Sequence, residues 1–302
     1  MPRAGLIPVL MLTTACVFWA GNAVMARAVY EDIEPFTLTL FRWLLAIALL
    51  LPFTWRHVKR DWPAIVQAWR VLTALGILSV SIYATTMYIA AHTTEAINIS
   101  LVGSVTPAVV VLLSWLMIGE RINLRQGVGF MIGLVGVIAV IARGELENLA
   151  DLQFRVGDLI ILLGVVSWAT YSVLLKRYPL KMHTMSLLSA IFVTGTVVII
   201  PFFAWEIAST GNVHVNLPGL VAIVYGAVCM SILSYIFFIR GVQALGPNKA
   251  NAFGYLVPLF AALLAVVVLG EAILSYHFVA FVLICLGVFL TTWSRRQVAA
   301  AE

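Results

Sequence analysis

The sequence predicts an all-α, polytopic membrane protein: about ten transmembrane helices in two inverted five-helix repeats around a central cavity. Three observations predict it. The composition suits only a lipid solvent, the apolar runs have spanning length, and a set of residues recurs in matched positions in the second half of the chain.

The chain has 302 residues, 63% hydrophobic and 10% charged, with mean hydropathy +1.06. A soluble domain with that balance would expose apolar surface almost everywhere. A bilayer core about 30 Å thick takes roughly 20 apolar residues per helix. Runs of that kind extend from Leu6 to Tyr30, Pro35 to Trp55, Trp69 to Ala91, Glu95 to Ile118 and Leu124 to Ala142. Five more extend from Val156 to Leu175, Thr184 to Ile207, Leu217 to Arg240, Lys249 to Leu269 and Leu274 to Trp293. They are helices because hydrocarbon offers backbone amides no water to bond, and because the polar alternation of a barrel strand is absent.

The first run follows Arg3 and imitates a signal peptide, but it is too long and no small-residue cleavage pattern follows. It is read as retained. Cys16 within it is no lipoprotein attachment site, since Thr13 stands where a large aliphatic is preferred. Cys16, Cys229 and Cys285 all fall in apolar runs, so they read as packing residues and imply no disulfide framework.

Net charge is +5, and the basic residues sit in alternate loops. Arg56, Lys59, Arg60 and Arg70 follow the second run; Arg121 and Arg125 the fourth; Lys176, Arg177 and Lys181 the sixth; Arg295 and Arg296 the last. The opposite loops carry Glu31, Asp32 and Glu34, then Glu145, Glu147 and Asp151. The positive-inside rule places both termini in the cytoplasm, in a bacterial inner membrane. The same alternation removes the nucleic-acid reading that a basic chain invites.

The halves correspond. Trp19-Ala20 recurs as Trp168-Ala169, and Pro52-Phe53 recurs as Pro201-Phe202 at the same separation. Gly103, Pro107 and Gly119-Glu120 correspond to Gly254, Pro258 and Gly270-Glu271 at one constant offset, which continues to Phe130/Phe281 and Gly136/Gly287. The repeats are expected over residues 1–144 and 153–296. Five crossings per repeat is an odd number, so the second half enters the bilayer from the other side. Inverted repeats around a midplane site are a transporter design.

Two five-helix repeats, each with a Pro, Gly-Glu twelve residues later and a Gly-rich last helix, resemble the EamA-type drug/metabolite transporters over nearly the whole chain. Arg42, seven residues after Pro35, resembles an Arg the family often places there. Within that superfamily the chain looks most like bacterial exporters of aromatic and other neutral amino acids. The resemblance implies a cavity lined by the first four helices of each repeat, with the fifth and tenth outside as supports. Gly129, Gly133 and Gly136 in the fifth run suit such close packing on their own terms.

Polar groups at membrane depth are costly, so those sharing a helix face mark a candidate pathway. Ser79, Tyr83 and Thr86 share one face of the third run. Ser100 and Ser104 correspond to Asn251 and Tyr255 by the repeat offset, with Asn98 nearby. Trp19 and Asn22 correspond to Trp168 and Tyr171, and Ser231 with Tyr235 gives the eighth run a similar face. Such a lining suits neutral or zwitterionic solutes with apolar side chains. The bland alternative is that Ser and Thr bond their own helix and that Trp and Tyr mark the interface belt.

Four other positions carry separate expectations. Pro107 and Pro258 mark kinks or broken ladders deep in their runs. Glu120 and Glu271 oppose the helix dipole and should bind a neighbouring backbone or base. Arg42 is expected to snorkel to the outer surface in preference to pointing inward as a carboxylate anchor. Lys249 reads as a headgroup contact.

The first run has no Asp or Glu, against proton exchange by a carboxylate there and in favour of facilitated diffusion by alternating access. Other cargoes, such as drugs, nucleosides or riboflavin-like compounds, fit the same aromatic lining. An intramembrane enzyme would need paired acids, an Asp-rich magnesium motif or a buried His, and none stands out. A receptor or scaffold would need a soluble domain or a long tail. The expected partners are a small-molecule substrate and membrane lipid, with no nucleic acid, no cofactor or metal, and no required oligomer.

Overall fold

The structure, a computed structural model, describes residues 6–94, 99, 102–142, 156–211, 213, 215–269 and 275–292; side chains at 23, 24, 27, 140, 141, 265–269 and 275–277 lie outside the description. Among the described residues there is no strand. The helices are α1 (Leu6–Ala28), α2 (Pro35–Gln67), α3 (Trp69–Thr93), α4 (Thr106–Ile118) and α5 (Leu124–Ile141). They continue as α6 (Val156–Arg177), α7 (Thr184–Thr210), α8 (Leu217–Leu245), α9 (247–269) and α10 (Ser275–Thr292). By length and composition α2, α3, α6, α7 and α8 can each cross a membrane, while α1, α4, α5 and α10 hold shorter apolar stretches.

The helix pairing is symmetric between the halves. α3 and α4 both pack on α6, while α8 and α9 both pack on α1, and the equivalent helices α2/α7 and α5/α10 pair with each other. Those last two pairs are antiparallel. Phe36 stacks on Phe202 while Thr54, further along α2, accepts a bond from Ser189, nearer the start of α7. Likewise Gly129 meets Thr291 and Gly136 meets Ile284. Equivalent helices running in opposite directions make the two halves inverted relatives.

Each end of the α2/α7 pair is closed by an acid from the opposite helix. Pro35 occupies the first turn of α2, where its missing N–H costs nothing. The following orphan amides, Phe36 N–H and Thr37 N–H, donate to Glu206 at 2.9 and 2.7 Å, and the Thr37 hydroxyl adds a third bond at 2.7 Å. At the other end Asp61 accepts from His183 N–H and from the Ser186 hydroxyl, each at 2.7 Å, at the start of α7. This second cap exists because α2 runs past Trp55, where its apolar stretch was expected to end, to Gln67. Its 33 residues reach about 50 Å, well beyond a core of about 30 Å. His57 and His183 stack beside it at 3.9 Å; burial, with His57 and Arg60 adding to it, pushes the His183 imidazole below its ordinary range.

α5 and α10 meet backbone to backbone. A Cβ on Gly287 would lie 2.6 Å from the Gly133 nitrogen, and one on Gly129 would lie 2.8 Å from the Gly287 carbonyl oxygen.

Two stretches depart from α-helix in matched places. Ile77–Ile82 in α3 and Gly226–Leu233 in α8 are wound as π-helix, and their starts have the same separation as Trp19 and Trp168. A π turn releases carbonyls from the normal ladder, and in hydrocarbon those need other donors. Leu78 C=O receives the Ser167 hydroxyl of α6 at 2.7 Å, and Ser79 C=O receives the Tyr235 hydroxyl of α8 at 2.7 Å.

Of the two expectations for Pro107 and Pro258, a kink or a broken ladder, the structure shows the break. Pro107 lies at the first turn of α4, after a turn at Ser104 and Val105, and Pro258 lies just past a 3-10 turn at Phe253–Tyr255. Each starts a helix after a break instead of kinking a continuous one, because a ring without an N–H is tolerated best in a first turn.

Candidate functional site

The helices converge on Trp168 of α6, which is 4% exposed. Trp19 of α1 meets it edge-on at 5.4 Å, Tyr83 of α3 at 4.7 Å, Tyr171 at 5.1 Å, Tyr235 of α8 at 5.7 Å and Phe238 at 4.8 Å. The edge-on and tilted geometries are those that ring quadrupoles favour. The indole N–H of Trp168 donates to Asn251 Oδ1 of α9 at 3.1 Å, and the Asn251 amide is held in turn by the Pro247 carbonyl at 2.9 Å. Both halves therefore supply rings to one cluster.

The candidate residues divide into groups. Trp19, Tyr83, Trp168, Tyr171, Tyr235 and Asn251 come together as just described. Asn22 is buried and accepts from the Tyr88 hydroxyl at 3.1 Å, on the flank of the cluster. Ser79 and Thr86 turn their hydroxyls onto their own helix, to Leu75 C=O and Tyr83 C=O; it is the Ser79 carbonyl that reaches the centre. Tyr255 lays its ring against Gly133 of α5, where a Cβ would come within 2.6 Å of the ring. Ser104 is buried in the turn before α4, and Ser231 is buried in the π segment of α8. Asn98 and Ser100 lie outside the described residues.

Among the described residues several buried side-chain atoms lack a hydrogen-bond partner. They include Arg42 Nε and Nη2, Trp43 Nε1, Tyr171 Oη and Ser231 Oγ. Buried polar groups are almost always paired; Ser114 Oγ on α4, Arg125 Nε on α5 and Asn248 Oδ1 on α9 share the same condition.

Arg42 corrects the snorkelling expectation. It is 0% exposed, lying over the Trp43 ring at 4.5 Å. The inward course follows from its partners: Tyr88 supplies an acceptor and Trp43 a face, and Gly226 leaves room for its stem. Glu120, by contrast, finds the base expected of it, Lys176 at 2.7 Å; Glu271 lies outside the described residues. Cys16 is buried with its thiol on the Phe253 carbonyl.

Sequence reasoning passed over Trp43, Tyr88 and Phe238. Phe238 continues the face of Ser231 and Tyr235 one turn further, so the helical period could have found it. Trp43 and Tyr88 have no such signal.

A buried ring cluster fed by both halves of an inverted bundle is the organisation of a membrane transporter. The chain belongs to the EamA-like transporter family, which matches residues 6–142 and again 155–293. It is 28% identical over 289 residues to an uncharacterized transporter of Archaeoglobus fulgidus, covering 95% of this chain and 98% of that protein. It is 26% identical to Protein PecM of Dickeya dadantii, covering 93% and 92% of the two chains. A solved crystal structure superposes with a TM-score of 0.74 at 21% identity, covering 94% of this chain and 96% of the other, which shows the shared fold. The protein is an integral membrane transporter and not an enzyme.

Proposed function

We propose that the protein exports neutral amino acids, aromatic ones foremost, by alternating access and facilitated diffusion, with both termini and the basic loops in the cytoplasm. The observation that carries this reading is the Trp168 cluster. Rings from α1, α3, α6 and α8 surround one buried indole, and the Tyr171 hydroxyl among them has no partner among the described residues. A solute carrying its own ring exchanges one ring contact for another as it enters, while its ammonium and carboxylate meet hydroxyl and amide groups. The inverted halves supply two related arrangements that open to opposite sides. Repeats spanning 1–144 and 153–296 would be the moving units. α1 carries no acid among its residues, so flux should not require a proton gradient.

The test is purified protein in liposomes, challenged with labelled amino acids, nucleosides and dyes. Trp168→Ala should slow aromatic amino-acid flux about two- to tenfold, the scale of one ring contact, and collapsing a pH gradient should change nothing. Unchanged flux for every solute would remove the cluster from the pathway.

A further inference from the structure

Arg42 stands two turns into α2, about 10 Å along the helix from Pro35. It is wholly buried. Among the described residues no carboxylate pairs with it: the ion pairs are Arg60 with Asp61 and Lys176 with Glu120, while Glu206 is engaged by the first turn of α2. An uncompensated guanidinium at membrane depth is costly, and such residues are retained for a task.

The unpaired atoms say which task. Nη1 donates to the Tyr88 hydroxyl at 2.7 Å and points at the Met230 sulfur at 2.8 Å. Nε and Nη2 have no partner among the described residues. These two nitrogens form the side-on edge of the guanidinium, where parallel N–H bonds meet both oxygens of a carboxylate. The group is also held in place. Trp43 lies under its carbon at 4.5 Å, Tyr88 is fixed in turn by Asn22, and a Cβ on Gly226 would come within 2.5 Å of the Arg42 Cδ. Gly226 and Met230 belong to the π segment of α8, so that irregular turn shapes the pocket around the cation. A thioether is a weak acceptor, easily replaced by an oxygen anion.

We infer that Arg42 is a carboxylate-binding site, with its Nε/Nη2 edge as the recognition element and Tyr88 and Asn22 as its positioning residues. It deepens, and rests on, the amino-acid reading above: the α-carboxylate is what the cation holds. Trp43 then links the guanidinium to Tyr235 at 5.5 Å and so to the ring cluster, where the remainder of the solute lies.

The experiment is thermal stabilisation of the purified full chain in detergent by four probes: L-phenylalanine, L-phenylalaninamide, 3-phenylpropionate and 3-phenylpropionamide. The wild type should bind each carboxylate at least about tenfold more tightly than its amide, the scale of a bidentate charge-assisted pair. Arg42→Gln should abolish that preference, and Arg42→Lys, which keeps the charge without the fork, should lose most of it. Monodispersity and helical circular dichroism check assembly of both variants. If neither assembles, the wild type decides: a tenfold carboxylate preference supports the site, and equal affinity for acid and amide overturns it. A preference that survives in an assembled Arg42→Gln overturns it as well. Failure of the amino-acid reading looks different: 3-phenylpropionate would still discriminate through Arg42 while no amino acid crosses the liposome membrane.

Discussion

α5/α10 and α3/α8 are both pairs of equivalent helices, yet they are built on opposite principles. α5 and α10 touch through Gly129, Gly133 and Gly287, in regular α-helix, with Thr291 bonded to its own Gly287 carbonyl. Close backbone approach maximises dispersion contact, the main attraction left to helices already surrounded by hydrocarbon. α3 and α8 instead carry π turns, buried hydroxyls and rings, and the Tyr235 hydroxyl of α8 bonds the Ser79 carbonyl of α3. Among the described residues the two π-wound segments lie in α3 and α8, the helices that supply Tyr83 and Tyr235 to the Trp168 cluster. The α5/α10 contact is tight and regular, while in α3 the carbonyls of Leu78 and Ser79 are bonded by side chains of other helices.

Gly287→Leu should give the largest effect of any change suggested by that contrast. Its Cβ meets Gly133 backbone, which cannot swing aside as a side chain can, so overpacking of the usual 1–3 kcal/mol becomes a lower bound of about 3 kcal/mol. The variant should melt far below the wild type, or fail to assemble, in a detergent unfolding assay. A mild effect would mean that the support is loose and the contrast unfounded.

α2/α7 is intermediate in character, and its two acids measure it. Glu206→Ala strips three bonds from the start of α2, leaving buried amides without an acceptor. A loss of about 2 kcal/mol in unfolding free energy is expected. If α2 is a fixed wall, ligand affinity in the same variant stays as it was.

The fold was legible to a greater depth than the site, for physical reasons. α2, α3, α5, α7 and α8 begin at the residues hydropathy selected, Pro35, Trp69, Leu124, Thr184 and Leu217, because a bilayer imposes a sharp change of solvent at each helix end. Inversion was legible because five crossings per repeat leave no other orientation. The π turns were not, since the donors that satisfy Leu78 and Ser79 come from Ser167 and Tyr235, far away in sequence. Arg42 misled for the same reason: snorkelling is the rule for a lone cation near a helix end, and it yields when Tyr88 of α3 and Gly226 of α8 close around the guanidinium beside its chain neighbour Trp43. Tyr255 shows the limit of repeat logic, since its ring went to Gly133 while Asn251, one turn away, went to Trp168.

The smallest change should be the most informative about mechanism. Tyr235→Phe keeps the ring in place against Trp43, Phe192 and Trp168 and removes only the hydroxyl that satisfies Ser79 C=O. Polar contacts inside membranes average well under what they are worth in an apolar solvent, so the cost in stability should be about 1 kcal/mol or less. That carbonyl is nevertheless the described hydrogen bond joining the two π-wound helices. If those helices separate and rejoin as the centre opens, flux of an aromatic amino acid in liposomes should change severalfold in this variant while its melting temperature barely moves. Equal, small changes in both would assign the π turns to packing alone, and the distinction between a rigid support and a working centre would then rest on the rings and not on the backbone.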